Sequence, residues 1–278
     1  MRDPVALRRR AGTRGDPTRD QYFLEDTRVL ARIISYARDV DPDLEHVLEI
    51  GPGIGGLTGF LVNSATTVTA IERDRALVRF LRDEFAPELD TGRLMLVEGD
   101  ALKAPFPDYS SCVSNLPYGI SGPVLFRLLP RRRPIVVMVQ LEFGQRMAAE
   151  PGADEYGRLS VATQHFGEVR LCETIPPSVF QPQPPVDSAI VSVRPREPDY
   201  DVPDEGFFLD FLRAVFTQRR KTLRNAIRNT THISGITDAT AILERVDVEL
   251  LDRRPGELEP IEFARIATIA HRQERTDD

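Results

Sequence analysis

Seven short apolar runs, most of the first five separated by segments of helical length, constrain the fold of this chain more than any other feature. The runs are HVLEI (46–50), TTVTAI (66–71), RLMLV (93–97), SCVSN (111–115), PIVVMV (134–139), VRLCETI (169–175) and SAIVSV (188–193). Such alternation is typical of βαβ units, in which helices cover both faces of a parallel sheet. Only a proline-rich loop follows the sixth run, so we expect the last strand to pair antiparallel, as a hairpin partner.

The chain of 278 residues suits one large domain with a small appendage. Residues 1–19 contain Arg, Gly and Pro without an apolar period, which predicts a mobile amino-terminal arm. Residues 20–197 hold the apolar runs and predict an α/β, Rossmann-like domain with a seven-stranded sheet. PDYDVPDEG (198–206) is typical of a linker, and the rest has helical patterns only, so 198–278 predicts a small all-α domain.

Composition narrows the class of protein. No apolar run approaches the roughly 20 residues of a bilayer span, and the first residues lack the apolar stretch of a secretion signal. We therefore expect a cytoplasmic protein without membrane contact. Cys112 and Cys172 are the only cysteines, and the 4 histidines show no ligand spacing, so we expect neither a disulfide framework nor a metal site.

The charge balance bears on both habitat and partner. The net charge is −7, and only Lys103 and Lys221 are lysines among the 36 basic residues. An acidic, lysine-poor surface favours a high-salt cytoplasm, although a GC-rich genome would also replace Lys by Arg. The net sign argues mildly against nucleic acid as a partner, because a basic face is the usual footprint.

One stretch runs against that net charge. Between 213 and 228 the chain has six basic residues and no acid, on a helix-like pattern. The six are Arg213, Arg219, Arg220, Lys221, Arg224 and Arg228. We interpret this stretch as a phosphate-binding face for RNA, and the alternative is a solvated helix face.

Polar residues follow the first three predicted strands, at the edge where open sheets bind ligands. EIGPGIGGLT satisfies G-x-G-x-x-G through Gly51, Gly53 and Gly56, a pattern that fits several nucleotide-like cofactors as well as a plain tight turn. Glu72 lies 21 residues after Gly51, a distance that suits a grip on a ribose diol; the alternative is a surface acid before a helix. Asp100 is placed to accept from an adenine amine, or to fill a turn or helix N-cap.

The fourth strand ends in SNLPYGI (114–120), which predicts a socket for a planar amine. Pro117 lacks an N–H and biases Leu116 to an extended conformation, so the Leu116 carbonyl is held out as a free acceptor. Asn115 offers a second neutral acceptor, and Tyr118 offers a flat aromatic face. A turn that merely ends a strand would account for Asn and Pro but not for the aromatic residue.

These motifs together resemble the ribosomal RNA adenine N6,N6-dimethyltransferases of the KsgA type. The resemblance rests on EIGPGIGG, Glu72, Asp100 and NLPY, with QYFLED (21–26) before them and PSVFQPQPPVDSAIV (177–191), FTQRRKTLRN (216–225) and RRPGELEPIEFARI (253–266) after them. The matches span about 20–266, nearly the whole chain. One departure is Tyr22, where the family usually has Asn or His.

The resemblance implies an S-adenosylmethionine-dependent methyltransferase fold and assigns roles to residues of this chain. The implied cofactor-binding residues are Tyr22, Leu24, Gly51, Gly53, Glu72, Asp100 and Asn115. The implied catalytic set is Asn115, Leu116, Pro117, Tyr118 and Phe180, with Tyr118 and Phe180 stacking on the target base. The implied partner is small-subunit ribosomal RNA within an immature 30S particle, methylated by a monomer without metal.

Other interpretations remain open on the residues alone. Phe180 lies in PPSVFQPQPP (176–185), which without the family would be a rigid linker with a core aromatic. A resistance-type methyltransferase acting on large-subunit RNA shares the sheet and an NLPY-like motif, although RRPGELEPIEFARI argues against it. An RNA-binding assembly factor without activity is less consistent with an intact Glu72, Asp100 and Asn115. A nicotinamide dehydrogenase would leave NLPY unexplained.

Overall fold

The computed structural model describes residues 2–236 and 238–274, and the chain forms two compact units. Unit 1 comprises Met1–Gly144 and Glu168–Pro195; unit 2 comprises Gln145–Gly167 and Arg196–Asp278. We expected 145–167 to belong to the sheet domain, but this segment is part of the helical unit. The reason is packing, because Tyr156 and Val161 lie fully buried in the hydrophobic core of unit 2.

The strands and helices have the following bounds. The strands are β1 (Phe23–Leu24), β2 (His46–Ile50), β3 (Thr67–Glu72), β4 (Leu94–Glu98), β5 (Ser111–Asn115), β6 (Ile135–Gln140), β7 (Gly167–Ile175), β8 (Phe180–Gln181) and β9 (Ser188–Pro195). The α-helices are α1 (Pro4–Ala11), α2 (Thr27–Val40), α3 (Gly56–Leu61), α4 (Arg75–Glu84), α5 (Ala86–Asp90), α6 (Ser121–Leu128), α7 (Leu141–Ala148), α8 (Arg158–Phe166), α9 (Glu205–Phe216), α10 (Leu223–Asn229), α11 (Thr231–Ser234), α12 (Ala239–Arg245), α13 (Val248–Asp252) and α14 (Pro260–Glu274).

The main sheet has seven strands in the order β4-β3-β2-β5-β6-β9-β7. The pairs from β4 to β6 are parallel, and β9 runs antiparallel to β6. All seven apolar runs are strands of this sheet, so the predicted Rossmann-like class is confirmed. Because β2, β3, β4 and β5 are parallel neighbours, their carboxyl ends meet at one edge. The uninterrupted apolar sequence of β6 is explained by its burial at residues 135–139, as expected where helices cover both faces of a parallel sheet.

A second, two-stranded sheet was not expected from the sequence. Strand β1 pairs antiparallel with β8, so that Phe23 lies opposite Gln181 and Leu24 lies opposite Phe180. Each strand has two residues, too short for a periodic signal. This pair joins the amino-terminal segment to the proline-rich loop before β9.

The amino terminus contains a packed helix, so the prediction of a mobile arm over 1–19 is wrong. Helix α1 begins after Asp3, whose carboxylate accepts from the Ala6 N–H, and it is followed by Gly12 in the left-handed conformation. Leu7 is fully buried and shares a cluster with Phe23 and Leu77. Two buried residues in eight, Pro4 and Leu7, leave no apolar period to detect.

Arginine–glutamate pairs hold this helix against the rest of unit 1. Arg2 contacts Glu84 at 3.1 Å and Glu88 at 2.7 Å, and its guanidinium lies 4.1 Å from the centre of the Phe85 ring. Arg8 contacts Glu25 at 2.5 Å. Four of the six arginines in 1–19 are therefore ion-pair partners of distant acids, which sequence spacing does not reveal.

Unit 2 is built around buried aromatic residues. Phe208, Phe211 and Phe263 are fully buried in its core. The Tyr156 hydroxyl donates to the Leu258 carbonyl at 2.7 Å, which satisfies the polar end of a buried ring. The basic stretch 213–228 is not one helix, because α9 ends at Phe216 and α10 begins only at Leu223.

The packing of α1 makes a stability prediction. Leu7→Ala should lower the free energy of unfolding by about 2–5 kcal/mol, the usual cost of emptying a well-packed leucine site. Urea denaturation measures this difference. Arg9→Ala, on the exposed side of the same helix, is the matched control and should change stability little. Equal stability of both variants would show that α1 does not pack in solution.

Candidate active site and cofactor cavity

A cavity of about 290 Å³ opens at the carboxyl ends of β2, β3 and β5, entirely within unit 1. This volume is near the lower end of the range for small-molecule sites, roughly 300–1,000 Å³. Of the sequence-predicted residues, those in the wall are Tyr22, Leu24, Gly51, Gly53, Glu72, Asn115, Leu116, Pro117 and Tyr118. The strand ends and the segment before β1 therefore converge on one space, as the sequence predicts.

The glycine turn after β2 brings backbone to the cavity without side chains. Gly51 has φ +69° and Gly53 has φ +59°, both in the left-handed region that favours glycine. A Cβ on Gly51 would lie 3.1 Å from the Pro117 ring, and one on Gly53 would lie 3.2 Å from the Phe23 ring. The turn thus forms a cradle that a larger residue would fill.

Glu72 closes one side of this cradle. It is 6% exposed, and its carboxylate accepts from the Gly53 N–H at 3.1 Å and the Asp74 N–H at 2.8 Å. Burial raises the pKa of Glu72, while these backbone hydrogen bonds act in the opposite direction. The two donors fix the orientation of the carboxylate, which retains lone pairs for hydroxyl groups of a ligand.

Asp100 lies at the cavity edge, between the wall residues Gly99 and Ala101. One carboxylate oxygen accepts from the Leu102 N–H at 2.9 Å, which is the turn role considered above. Within the described residues the other oxygen makes no hydrogen bond. Turn formation therefore leaves one acceptor available, and a ligand role for Asp100 stays a prediction.

The segment 115–118 forms the socket expected from NLPY. Asn115 is half-buried in the wall, and its side-chain amide makes no hydrogen bond to any residue that the structure describes. The same holds for the Leu116 carbonyl, since Pro117 adopts φ −58° and ψ 129° and turns the chain away. Two neutral acceptors are therefore free beside the glycine cradle.

Tyr118 is fixed by its hydroxyl group. Its Oη lies 2.7 Å from the Ser188 Oγ, at the start of β9. Burial raises the pKa of Tyr118, so the phenol stays neutral over the ordinary working range. Ser188 has no recognisable sequence signal, and only the sheet order brings it to this place.

Residues 18–22, which we call the strap, cross between the two halves of the cavity. Arg19 contacts Asp74 at 2.8 Å, and the Gln21 side chain donates to the same carboxylate at 3.0 Å. The intervening Asp20 accepts from the Gly119 N–H at 2.9 Å. Arg19 and Gln21 therefore contact the Asp74 side of the cavity, whereas Asp20 contacts the NLPY side.

Tyr22 continues this alternation through its ring. The Tyr22 and Tyr118 rings stack with their centroids 5.6 Å apart and an interplanar angle of 26°. The position at which the family usually has Asn or His thus carries an aromatic contact to the predicted socket. The adjoining Leu24 is buried in the wall.

Phe180 differs from its predicted placement. It is 3% exposed, lies in the hydrophobic core and is not a wall residue of the cavity. Its position opposite Leu24 in the small β-sheet explains the burial. In this conformation the ring that stacks on Tyr118 is that of Tyr22, not that of Phe180.

The six basic residues of 213–228 lie in unit 2 and differ in their pairing. Arg213 contacts Asp210 at 3.1 Å, Arg224 contacts Asp252 at 3.3 Å, and Arg219 donates to backbone carbonyls of 153 and 154. Arg220, Lys221 and Arg228 are exposed and make no ion pair within the described ranges. These last three are the cations available to an anionic partner.

Glu49 is a cavity residue that the sequence reasoning missed. It is 1% exposed, and its carboxyl group accepts from the Thr58 hydroxyl at 2.7 Å. Burial raises the pKa of Glu49 to about 8, and the negative charge of Glu72 adds to this effect. The sequence signal that could have indicated Glu49 is the presence of an acid inside the apolar run HVLEI.

The described residues lack both a metal-ligand cluster and a helix that could span a membrane. They contain no group of three or more His, Cys, Asp or Glu side chains placed to hold a metal ion. No helix in the ranges 2–236 and 238–274 has both the length and the apolar character of a membrane span.

Comparison with known proteins gives consistent results. The family model for ribosomal RNA adenine dimethylase matches residues 15–254. The protein named probable ribosomal RNA small subunit methyltransferase A of Haloquadratum walsbyi, a halophilic archaeon, is 58% identical over 270 residues, covering 97% of this chain and 91% of that protein. A dimethyladenosine transferase structure from Plasmodium falciparum has a TM-score of 0.71 and 28% identity, covering 87% of this chain and 95% of that one. The 23S rRNA methyltransferase ErmE has a TM-score of 0.65 and 27% identity, covering 90% and 99%.

The buried Glu49 predicts a pH dependence of stability. Between the ordinary pKa of 4.5 and the folded value of about 8, the folded state binds more protons than the unfolded state. The free energy of unfolding should therefore fall as pH rises from about 5 to 8, by up to ~1.4 kcal/mol per pH unit from this group. Glu49→Gln should flatten this slope in urea denaturation.

Glu45→Gln is the matched control, because Glu45 is exposed just before the same strand. It should leave the slope unchanged. A slope that is equally steep in the wild-type protein and in Glu49→Gln would contradict the assignment. Some slope should persist in either case, since the pKa of Glu72 is also raised by burial.

Proposed function

The chain belongs to the ribosomal RNA adenine dimethylase family and is a methyltransferase, and from that premise we propose a specific reaction and target. The reaction is transfer of two methyl groups from S-adenosylmethionine to the N6 atom of each of two adjacent adenosines. The target is a hairpin near the 3′ end of small-subunit ribosomal RNA. One observation carries this proposal: the unpaired Asn115 amide and Leu116 carbonyl lie beside the glycine cradle in a single cavity.

The choice of small-subunit RNA follows the degree of similarity. The relative from Haloquadratum walsbyi, named for the small subunit, is 58% identical, whereas ErmE, named for 23S rRNA, is 27% identical. The large-subunit alternative is therefore the weaker one. The small-subunit target also agrees with the RRPGELEPIEFARI stretch.

The residues present fit S-adenosylmethionine. The cradle at Gly51 and Gly53 admits a ligand against bare backbone, and Glu72 offers a fixed carboxylate for a ribose diol. Asp100 keeps one acceptor for an adenine amine. When bound, this cofactor supplies an electrophilic methyl group on a sulfonium centre.

The socket orients the target amine. The N6 amine is a weak nucleophile because its lone pair is delocalised into the purine ring. If Asn115 and the Leu116 carbonyl accept its two hydrogens, they favour a more pyramidal nitrogen with a directed lone pair. Alignment of this kind contributes up to ~7–11 kcal/mol to a barrier reduction. A strong base is not required before attack, because the proton becomes acidic only after nitrogen is alkylated.

The target base must leave its stack to enter the socket. Unstacking costs a few kcal/mol, and stacking on an aromatic side chain returns roughly 1–3 kcal/mol per base. Tyr118 is suited to this role because the Ser188 contact fixes its ring. A hydrogen-bonded ring loses little conformational entropy when a base stacks on it.

Exposed basic side chains of unit 2 supply the proposed RNA contact. Arg220, Lys221 and Arg228 have no competing carboxylate within the described residues. Two of the three are arginines, whose planar fork matches phosphate geometry. In a salty cytoplasm the screening length falls to ~3 Å at 1 M, so only such close contacts remain effective.

We extend the proposal to the cellular setting. The substrate is an immature 30S particle in the cytoplasm, and the enzyme acts as a monomer. An assembly factor without activity is the alternative from another class. The methylation assay described next separates the two.

Asn115→Ala should lower turnover by ~10²–10³-fold while it leaves cofactor affinity largely intact. Loss of one preorganised hydrogen-bonding group at a reacting centre costs ~10²–10³-fold. The assay transfers labelled methyl from S-adenosylmethionine to purified immature small subunits at high salt, followed by nucleoside analysis. N6,N6-dimethyladenosine at two adjacent positions is the expected product, and calorimetry measures cofactor binding.

Asn63→Ala is the matched control, since Asn63 is exposed and its amide caps a backbone carbonyl of α3. Unchanged turnover in Asn115→Ala would refute the socket. Cofactor binding by the wild-type protein without any transfer would favour the assembly-factor alternative.

The basic residues make a separate prediction. The double variant Arg220→Ala/Arg228→Ala should weaken RNA binding and reduce the salt slope of log K by about one per residue removed. Fluorescence anisotropy over a range of salt concentrations measures both. Arg245→Ala/Arg265→Ala removes the same charge from exposed positions outside the basic stretch. Equal slopes for the two double variants would argue against a specific phosphate contact.

A further inference from the structure

The ring of Tyr22 lies where the target base is expected. It stacks on Tyr118 at 5.6 Å and 26°, so it covers a face of the socket's aromatic plate. Both rings line the same cavity. A base that stacks on this face of Tyr118 must therefore displace Tyr22.

The second expected plate is also covered. Tyr22 packs against the buried cluster that contains Phe180, and Phe180 is only 3% exposed. The Tyr22 ring thus contacts Tyr118 and also the large hydrophobic cluster of which Phe180 is one member. The β1–β8 pairing accounts for the burial of Phe180, and the Tyr22 ring occupies a face of Tyr118.

The backbone on both sides of Tyr22 is anchored, but its side chain is not. The strap is held by Arg19 and Gln21 on Asp74 and by Asp20 on the Gly119 N–H, and Phe23 is buried after it. The Tyr22 hydroxyl makes no hydrogen bond within the described part of the chain. Ring contacts alone hold it, in contrast with Tyr118, whose hydroxyl is paired with Ser188.

We propose that Tyr22 occupies the target-base subsite in the RNA-free enzyme and rotates out when the adenine enters. Rotation about the side-chain bonds of one residue is sufficient, because the strap backbone stays anchored. The adenine then stacks on Tyr118 in place of the Tyr22 ring, so one aromatic stack is exchanged for another. This inference rests on the proposed function, since it takes the entering group to be an adenine.

Two consequences separate this role from a supporting one. A residue that merely supported Tyr118 would stay stacked when RNA binds, and its removal would weaken RNA binding. A residue that occupies the subsite moves away from Tyr118 when RNA binds. Removing that residue therefore strengthens RNA binding. An aromatic stack is worth about two- to tenfold in an equilibrium constant.

The first experiment uses the absence of tryptophan from the chain. Tyr22→Trp introduces a single indole at this position, and its emission maximum and acrylamide quenching report whether it stays stacked. The hairpin RNA with the two adjacent adenosines is added in the presence of saturating S-adenosylhomocysteine, which prevents turnover. We expect a red shift and stronger quenching on RNA binding.

Tyr36→Trp is the matched control. Tyr36 packs against the same buried cluster but is not part of the cavity wall. Its indole should respond little to the RNA. An unmoved indole at position 22, or an equal response at both positions, overturns the inference.

The second experiment measures RNA affinity directly. At saturating S-adenosylhomocysteine, Tyr22→Ala should bind the hairpin about two- to tenfold more tightly than the wild-type protein. Tyr36→Ala should bind like wild type. Unchanged or weaker binding by Tyr22→Ala overturns the inference.

Failure of the proposed function gives a different result. If the wild-type protein neither binds nor methylates the hairpin or the immature subunit, the substrate assignment fails, and the inference about the base falls with it. If the wild-type protein methylates the RNA but the indole introduced at position 22 stays stacked, only the inference about Tyr22 fails.

Discussion

The close approach of two chain turns at the sheet edge is the constraint on which the site depends. Gly51 allows the turn after β2 to lie against Pro117, where an added Cβ would be 3.1 Å from the proline ring. That proximity puts the glycine cradle and the Asn115 socket into one cavity. A side chain at 51 would separate them and would also have to adopt a φ of +69°. The absence of a Cβ at Gly51 is therefore the first requirement of this cavity.

Ion pairs hold the amino-terminal segment against the rest of unit 1. The carboxyl ends of the strands line the cavity, and the Arg19–Asp74 contact holds the strap beside them, while other pairs between residues far apart in sequence hold the amino terminus outside the cavity. Arg2 reaches Glu84 and Glu88, and Arg19 reaches Asp74. Exposed pairs of this kind are individually weak, but partly buried networks with several bonds hold a segment in place. Arginines of the amino-terminal segment therefore have a structural role.

The parts predictable from sequence are those with a periodic or spacing signal. The seven strands of the main sheet and the polar residues at their ends follow from apolar runs and from the rule that parallel strands end together. Helix α1 and strands β1 and β8 could not be predicted, because each depends on one or two side chains and on distant partners. The burial of Phe180 beneath the amino-terminal segment could not be predicted for the same reason. The placement of 145–167 in unit 2 required knowing that Tyr156 reaches the core of the helices.

The alternation of the strap has an evolutionary consequence. Arg19 and Gln21 bind Asp74, while Asp20 and Tyr22 contact Gly119 and Tyr118. Arg19 ends a 3-10 turn, and Asp20 lies in the left-handed conformation with φ 57°. These contacts therefore depend on the exact path of the backbone, so a substitution changes one contact, whereas an insertion or deletion displaces every residue that follows it. We expect the strap to tolerate changes of composition better than changes of length.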